Sequence, residues 1–149
     1  MNKSEMNEKL EGMWQLLNGV HSTKPLDVQA RNFHLSFTEL LQQTANMLEK
    51  FEHKWPEIFR MKFRERIKCY LIINDVLESI ALKESYIDTT KAIQAAKILH
   101  DSVLDEYTNS YGAYNYYSRY NEVSISERAR ITEEIFLPHY MVIRFLENV

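Results

Sequence analysis

Apolar residues recur every three or four positions through most of the chain, which is the repeat of α-helices that bury one face. Near the start, Met6, Leu10, Met13 and Leu17 follow one another at spacings of four, three and four. Helix-breaking residues are scarce, because the whole chain contains only 3 Gly and 3 Pro. We predict four long helices and one or two shorter C-terminal helices. Their expected ranges are about 4–19, 25–54, 56–83, 88–118, 125–137 and 138–148.

The second half of the third predicted helix is apolar on nearly all sides, from Cys69 to Leu82. A helix of this kind packs against several neighbours, so it should lie at the centre of the molecule. The connections between the long helices are short, which favours antiparallel neighbours. We therefore predict an all-α fold with a single domain over residues 1–149. Its four long helices should form an up-and-down bundle, with the C-terminal helices packed against it.

Local signals mark several of the expected helix ends. Ser124 and Glu127 form a capping-box pattern ahead of the fifth helix. Either Asp88 or Thr89 is suited to cap the fourth helix. Proline lacks the amide hydrogen that an α-helix uses, and its ring clashes with the preceding turn. Pro138 should therefore kink or restart the C-terminal helix.

Composition narrows the class of protein without identifying it. The chain has 149 residues, of which 45% are hydrophobic and 26% charged, and its net charge is −3. These values are typical of one soluble globular domain and exclude a disordered or collagen-like chain. The N-terminus carries charges of both signs with no apolar run after it, and no stretch is apolar for long enough to span a membrane. We expect a cytoplasmic protein that does not act on a membrane.

The chain carries none of the residue patterns that common catalytic or metal sites require. It has no G-x-S-x-G elbow, and its glycines are too few for a phosphate-binding loop. None of the 5 histidines lies three or four residues from another, and the one cysteine excludes a disulfide framework. Cys69 is interpreted as a buried structural thiol. Asp101, Asp105 and Glu106 are interpreted as a solvent-facing helix surface. We therefore expect no catalytic residue, metal or cofactor, and favour a protein that is not an enzyme.

Residues 54–68 form a basic stretch in which six Lys or Arg residues stand against two Glu, giving a net charge of +4. In a helix, Arg60, Arg64 and Lys68 share one face, so these three residues are candidates for contact with nucleic acid. The chain as a whole is acidic, with a pI of about 6.0, whereas nucleic-acid-binding domains tend to be strongly basic. The alternative is that this stretch is a solvated basic helix end.

Arg66 differs from the rest of this stretch because helical geometry places it close to the apolar line of Phe63, Tyr70 and Ile73. An unpaired buried charge is costly, so the guanidinium must reach solvent or find a carboxylate. Glu78 on the same helix is twelve residues away, about 18 Å along the axis, so an ion-pair partner must come from another helix. Arg66 is therefore predicted to form a structural ion pair or an anion site.

Tyrosine is concentrated near the end of the fourth predicted helix, where six of the 9 tyrosines lie between residues 107 and 120. Tyrosine is enriched at binding interfaces because it offers a large apolar area and a polar tip. The candidate partner-binding residues are Tyr111, Tyr114, Tyr116, Tyr117 and Tyr120. The alternative is that this tyrosine stripe packs into the core.

Three functional hypotheses follow, in order of preference. The first is a non-catalytic interaction or regulatory module that binds a protein partner, or a second copy of itself, through the tyrosine-rich helix. The second is a nucleic-acid-contacting protein that uses the basic stretch. The third is an enzyme or small-molecule sensor with a pocket between helices. Its polar groups would be Arg66, Asn74 and Glu78, the polar members of the otherwise apolar central helix.

Overall fold

The computed structural model describes residues 2–21, 23–108 and 124–149, and every regular element within them is helical. The helices are α1 (Lys3–His21), α2 (Leu26–Phe51), α3 (Glu57–Ala81), α4 (Thr90–Thr108), α5 (Ile125–Ile131), a π-helical turn (Thr132–Phe136) and α6 (Leu137–Glu147). The all-α prediction is confirmed, and α1 to α3 begin and end within three residues of the predicted positions. The predicted continuation of the fourth helix to residue 118 lies outside the described residues.

Four helices, α2, α3, α4 and α6, surround the largest cluster of buried side chains. Each contributes to it, for example through Phe37, Tyr70, Leu99 and Val142. The chain reverses direction between consecutive members, and α6 closes the ring because it packs on both α4 and α2. This is an up-down-up-down bundle. Helix α1 lies outside the ring and packs across α4 and α6.

The place of the C-terminal helix differs from the expectation that α1 to α4 would form the bundle. Helix α6 buries side chains on several of its sides, including His139, Val142 and Phe145. Among the described side chains of α1, only Met6 and Leu10 are buried. A broad apolar surface requires more neighbours than a narrow stripe does. Helix α6 therefore takes the fourth interior position, and α1 covers its outer side.

The helix ends use the expected local chemistry. The Asp88 side chain accepts from the amide of Thr90 at 2.9 Å, where α4 begins. Ser124 Oγ accepts from the amide of Glu127 at 3.2 Å, where α5 begins. After the end of α3 at Ala81, Lys83 adopts the left-handed backbone conformation, with a φ of 57°.

Pro138 does not restart the C-terminal helix. The chain stays helical from residue 125 to residue 147, and the π-helical turn lies immediately before this proline. The amide of Leu137 donates to the carbonyl oxygen of Thr132, one residue further back than in an α-helix. The wider turn accommodates a residue that has no amide hydrogen and a bulky ring.

Candidate functional site

A half-open cleft of about 630 Å³ lies between α1, α2 and α6. Each helix contributes large apolar side chains to its walls: Trp14 and Leu17 from α1, Leu26 and Phe33 from α2, and Leu137, Met141 and Phe145 from α6. This volume is in the range of pockets that hold small molecules. The cleft runs between the N-terminal half of α2 and the length of α6, from Leu137 to Phe145, with α1 as the third wall.

The polar residues of the cleft are amides, hydroxyls and cations. Two of them, Lys24 and Arg144, are cations, while Asn18, Asn32 and Ser36 supply neutral polar groups. Among the described residues that line the cleft, none is an aspartate or a glutamate. A lining that combines large apolar side chains with polar groups is typical of ligand pockets.

Arg144 holds α1 against α6 beside the cleft. Its Nη2 donates to Oε2 of Glu11, and the hydroxyl of Tyr140 donates to the same oxygen. The guanidinium carbon of Arg144 lies 4.3 Å from the centroid of the Trp14 ring and 5.6 Å from that of Tyr140. The Tyr140 hydroxyl, and after it the guanidinium, hold the pKa of Glu11 below its ordinary value. The Glu11 carboxylate in turn raises the pKa of Arg144.

Arg66 is buried between α3 and α4, with 5% of its surface exposed. Its Nη1 donates to Oε1 of Glu106 at 3.0 Å. Its Nε donates to Oγ of Ser102 at 3.0 Å, and its Nη2 donates to the carbonyl oxygen of Ser102 at 3.2 Å. The guanidinium carbon also lies 4.7 Å from the centroid of the Phe63 ring. These contacts give the buried charge an ion pair and hydrogen bonds from a neighbouring helix.

A second buried polar contact joins α3 to α6, where Oη of Tyr70 and Nε2 of His139 lie 2.7 Å apart. Burial lowers the pKa of His139 to about 3, so this imidazole is neutral near pH 7. Burial also raises the pKa of Tyr70, so the phenol keeps its proton. The hydroxyl can then donate to the imidazole nitrogen without either group being charged. This pair is a hydrogen bond between helices in the core.

The three acids of α4 do not form one solvent-facing surface. Asp101 and Asp105 pair with Lys3 of α1 at 2.9 Å and 3.0 Å. Glu106 points inward to Arg66 and is buried. The interpretation of Glu106 as a solvated residue is wrong, because neighbouring residues of a helix point about 100° apart.

The basic residues proposed for nucleic acid lie along the first half of α3. Arg60 pairs with Glu57, and Nη1 of Arg64 lies 3.7 Å from Oε1 of the same Glu57. Lys68 is exposed further along α3. Because Glu57 lies close to both Arg60 and Arg64, it lowers the net positive charge of this helix face. The nucleic-acid hypothesis stays a prediction.

The tyrosines proposed to bind a protein partner, Tyr111, Tyr114, Tyr116, Tyr117 and Tyr120, lie outside the described residues. That hypothesis therefore stays a prediction as well. The polar groups predicted for a pocket do not line the cleft. Arg66 and Asn74 are buried in α3, and Glu78 is exposed.

Sequence reasoning missed the cleft because it placed α1 inside the bundle, whereas α1 packs outside it on α4 and α6. Trp14 and Leu17 were visible as part of an apolar stripe, and Arg144 as a cation within an apolar helix. No sequence signal joined them, since Arg144 and Glu11 are 133 residues apart in the chain. Cys69 is buried as predicted, and burial raises the pKa of its thiol.

Within residues 2–21, 23–108 and 124–149, no three His, Cys, Asp or Glu side chains gather closely enough to hold a metal ion. None of the helices in the same ranges has the length and apolarity that crossing a membrane requires. Comparison of the chain with family models, with curated proteins and with solved structures gives no match.

Proposed function

We propose that this protein binds a small amphipathic molecule in the cleft between α1, α2 and α6. The observation that carries this proposal is the cleft itself: about 630 Å³, lined by apolar side chains from three helices together with polar groups. Burial of apolar surface supplies most of the affinity in such pockets, and the few polar groups fix the orientation of the ligand. This is the small-molecule branch of the third hypothesis.

The attachment of α1 supports a role in sensing such a molecule. Two of the cleft walls belong to the bundle, whereas the third belongs to a helix outside it. Helix α1 is held by the buried Met6 and Leu10 and by polar contacts that include Lys3 and Glu11. A ligand that touches α1 together with α2 and α6 stabilises their association by mass action. Binding would thus favour the position of α1 in which it packs against the bundle.

Tryptophan fluorescence provides a direct test, because the chain has 2 Trp in different places. Trp14 lines the cleft, whereas Trp55 lies in a separate buried cluster with Phe59 and Phe63. Titration with the neutral amphipath decanol should change the emission of Trp14 and saturate. The Trp55→Phe variant should keep this change, and the Trp14→Phe variant should lose it.

A pair of filling variants separates binding in the cleft from binding elsewhere. Ser36 lies at the cleft and is exposed, so Ser36→Phe should occupy the space and weaken decanol binding. Thr38 is also exposed on α2 but does not line the cleft, so Thr38→Phe is the matched control. Equal binding by both variants would contradict the proposal. So would a stable dimer at micromolar concentration that Ser36→Phe dissociates, because the cleft would then be covered by a second copy.

A further inference from the structure

The cleft carries a charge asymmetry that the apolar walls do not explain. The net charge of the chain is −3, yet among the described lining residues the charged members are Lys24 and Arg144. Glu11 lies outside this lining and pairs with Arg144 from α1. The charged side chains that face the open space are therefore positive.

Arg144 has binding capacity left after its contact with Glu11. Both of its hydrogen bonds within the described part of the chain use Nη2. Its Nε and Nη1 donors make no hydrogen bond there, and the side chain is 34% exposed. A guanidinium has five donors in one fixed plane, and its open edge here is the one formed by Nη1 and the second hydrogen of Nη2, which matches a carboxylate. The stacked rings of Trp14 and Tyr140 hold this fork in one orientation.

Glu11 shows which kind of anion this position accepts. One of its carboxylate oxygens receives donors from both Arg144 and Tyr140. A second carboxylate can accept from the donors of Arg144 that Glu11 leaves unused, and its attached apolar chain would lie on Phe33, Met141 and Phe145. Charge-assisted hydrogen bonds of this type are stronger than neutral ones.

We propose that the ligand of the cleft is an amphipathic monocarboxylate, whose head group binds the open edge of Arg144 and competes with Glu11 for its charge. This inference rests on the proposed function, because it names the ligand class of the same cleft. A cationic amphipath is disfavoured by Lys24 and Arg144. A neutral amphipath makes the apolar contacts but no ion pair with Arg144, so it should bind more weakly than the carboxylate.

The test compares three probes of equal chain length: decanoate, decanol and decyltrimethylammonium, each titrated against the Trp55→Phe protein below its micellar concentration. Decanoate should bind about tenfold more tightly than decanol, a difference of about 1.4 kcal/mol. Its advantage should shrink between 20 mM and 500 mM NaCl, because salt screens partly exposed charges (about 3 Å Debye length at 1 M). Decyltrimethylammonium should bind most weakly.

Three variants assign the preference to Arg144. Arg144→Gln should bring decanoate down to the affinity of decanol, whereas Arg130→Gln should not, because Arg130 pairs with Glu127 and Glu134 away from the cleft. Glu11→Gln keeps Arg144 and removes the competing carboxylate, so the affinity for decanoate relative to that for decanol should rise severalfold; decanol measured on the same variant corrects for any change in the attachment of α1. If Arg144→Gln fails to fold, Glu11→Gln still tests whether the carboxylate binds Arg144.

The outcomes separate the two proposals. Equal binding of all three probes, or a preference for decyltrimethylammonium, would overturn the carboxylate assignment and leave the proposed function intact. Decanoate binding that does not change in Glu11→Gln would overturn the competition with Glu11. Absence of a saturable Trp14 signal with every probe would overturn both proposals.

Discussion

Replacement of Arg66 by leucine tests the buried ion pair of the core. The substitution removes the charge that faces Glu106 and the hydrogen bonds to Ser102, while it leaves a side chain of suitable shape for an apolar site. Glu106 then remains buried with 8% of its surface exposed and without the guanidinium. Arg66→Leu should therefore destabilise the protein although it introduces an apolar residue at a buried position.

The size of the effect follows from the burial of both partners. Breaking a buried pair by removing one partner costs about 3–5 kcal/mol, mainly because the other charge stays behind. Replacing both partners with apolar residues of similar volume is often neutral. The double variant Arg66→Leu/Glu106→Leu should thus lose less stability than the two single variants lose when their losses are added. The difference is the coupling energy of the pair, about 1–3 kcal/mol.

The assay is urea unfolding at pH 7 followed by circular dichroism, for the wild type, both single variants and the double variant. The midpoint should move while the slope with urea stays constant, since the folded and unfolded states keep their exposed areas. Wild-type stability in Arg66→Leu would show that the arginine is not held in the core as described. Strictly additive losses in the double variant would show that Arg66 and Glu106 do not interact energetically.

Three further predictions concern the backbone and the buried histidines. Gly12 lies exposed within α1, and no atom lies within 4 Å of where a Cβ would be, so Gly12→Ala should stabilise the protein by about 0.5–1 kcal/mol in thermal unfolding. Lys83 ends α3 in the left-handed region, its amide donating to Ile80 at 3.0 Å, so Lys83→Gly should raise stability by up to about 1 kcal/mol, and a loss would contradict that geometry. Burial lowers the pKa of His100 to about 4 and that of His139 to about 3, from ordinary values of 6.5. Between pH 6.5 and 4 the unfolded chain therefore binds protons at these histidines that the folded protein does not. As the pH falls through this range, each histidine should lower the free energy of unfolding by up to about 1.4 kcal/mol per pH unit. His100→Gln should reduce that slope in acid unfolding, and an unchanged slope would show that His100 does not contribute to it.

The helices themselves were within reach of sequence reasoning because their spacing is a local property. A residue three or four positions away lies on the same face whatever the rest of the chain does. The same argument placed Arg66 beside the apolar line of α3. It could not select Glu106 from the acids of α4, since that choice depends on how α4 is rotated about its axis when it packs on α3.

The arrangement of the helices depends on non-local contacts, which periodicity does not encode. The chain stays helical through Pro138, which lies in the first turn of α6 just after a π-helical turn, and α6 takes an interior position. Sequence rules predict a kink or restart there, because the wider turn that accommodates proline has no simple residue signature. The cleft between α1, α2 and α6 follows from that placement, so it could not be predicted before the bundle was known.

The buried ion pair and the cleft share no residue. Arg66 pairs with Glu106 between α3 and α4, whereas the cleft is lined by α1, α2 and α6. Helix α1 reaches α4 through Lys3, which pairs with Asp105, and its Trp14 lines the cleft. Distant sites without shared partners contribute independently to stability and binding. Changes at Arg66 should therefore lower the free energy of unfolding without altering the affinity for decanoate. Loss of the Lys3 contact should lower both the free energy of unfolding and the affinity for decanoate, because α1 carries Lys3 and also forms one wall of the cleft.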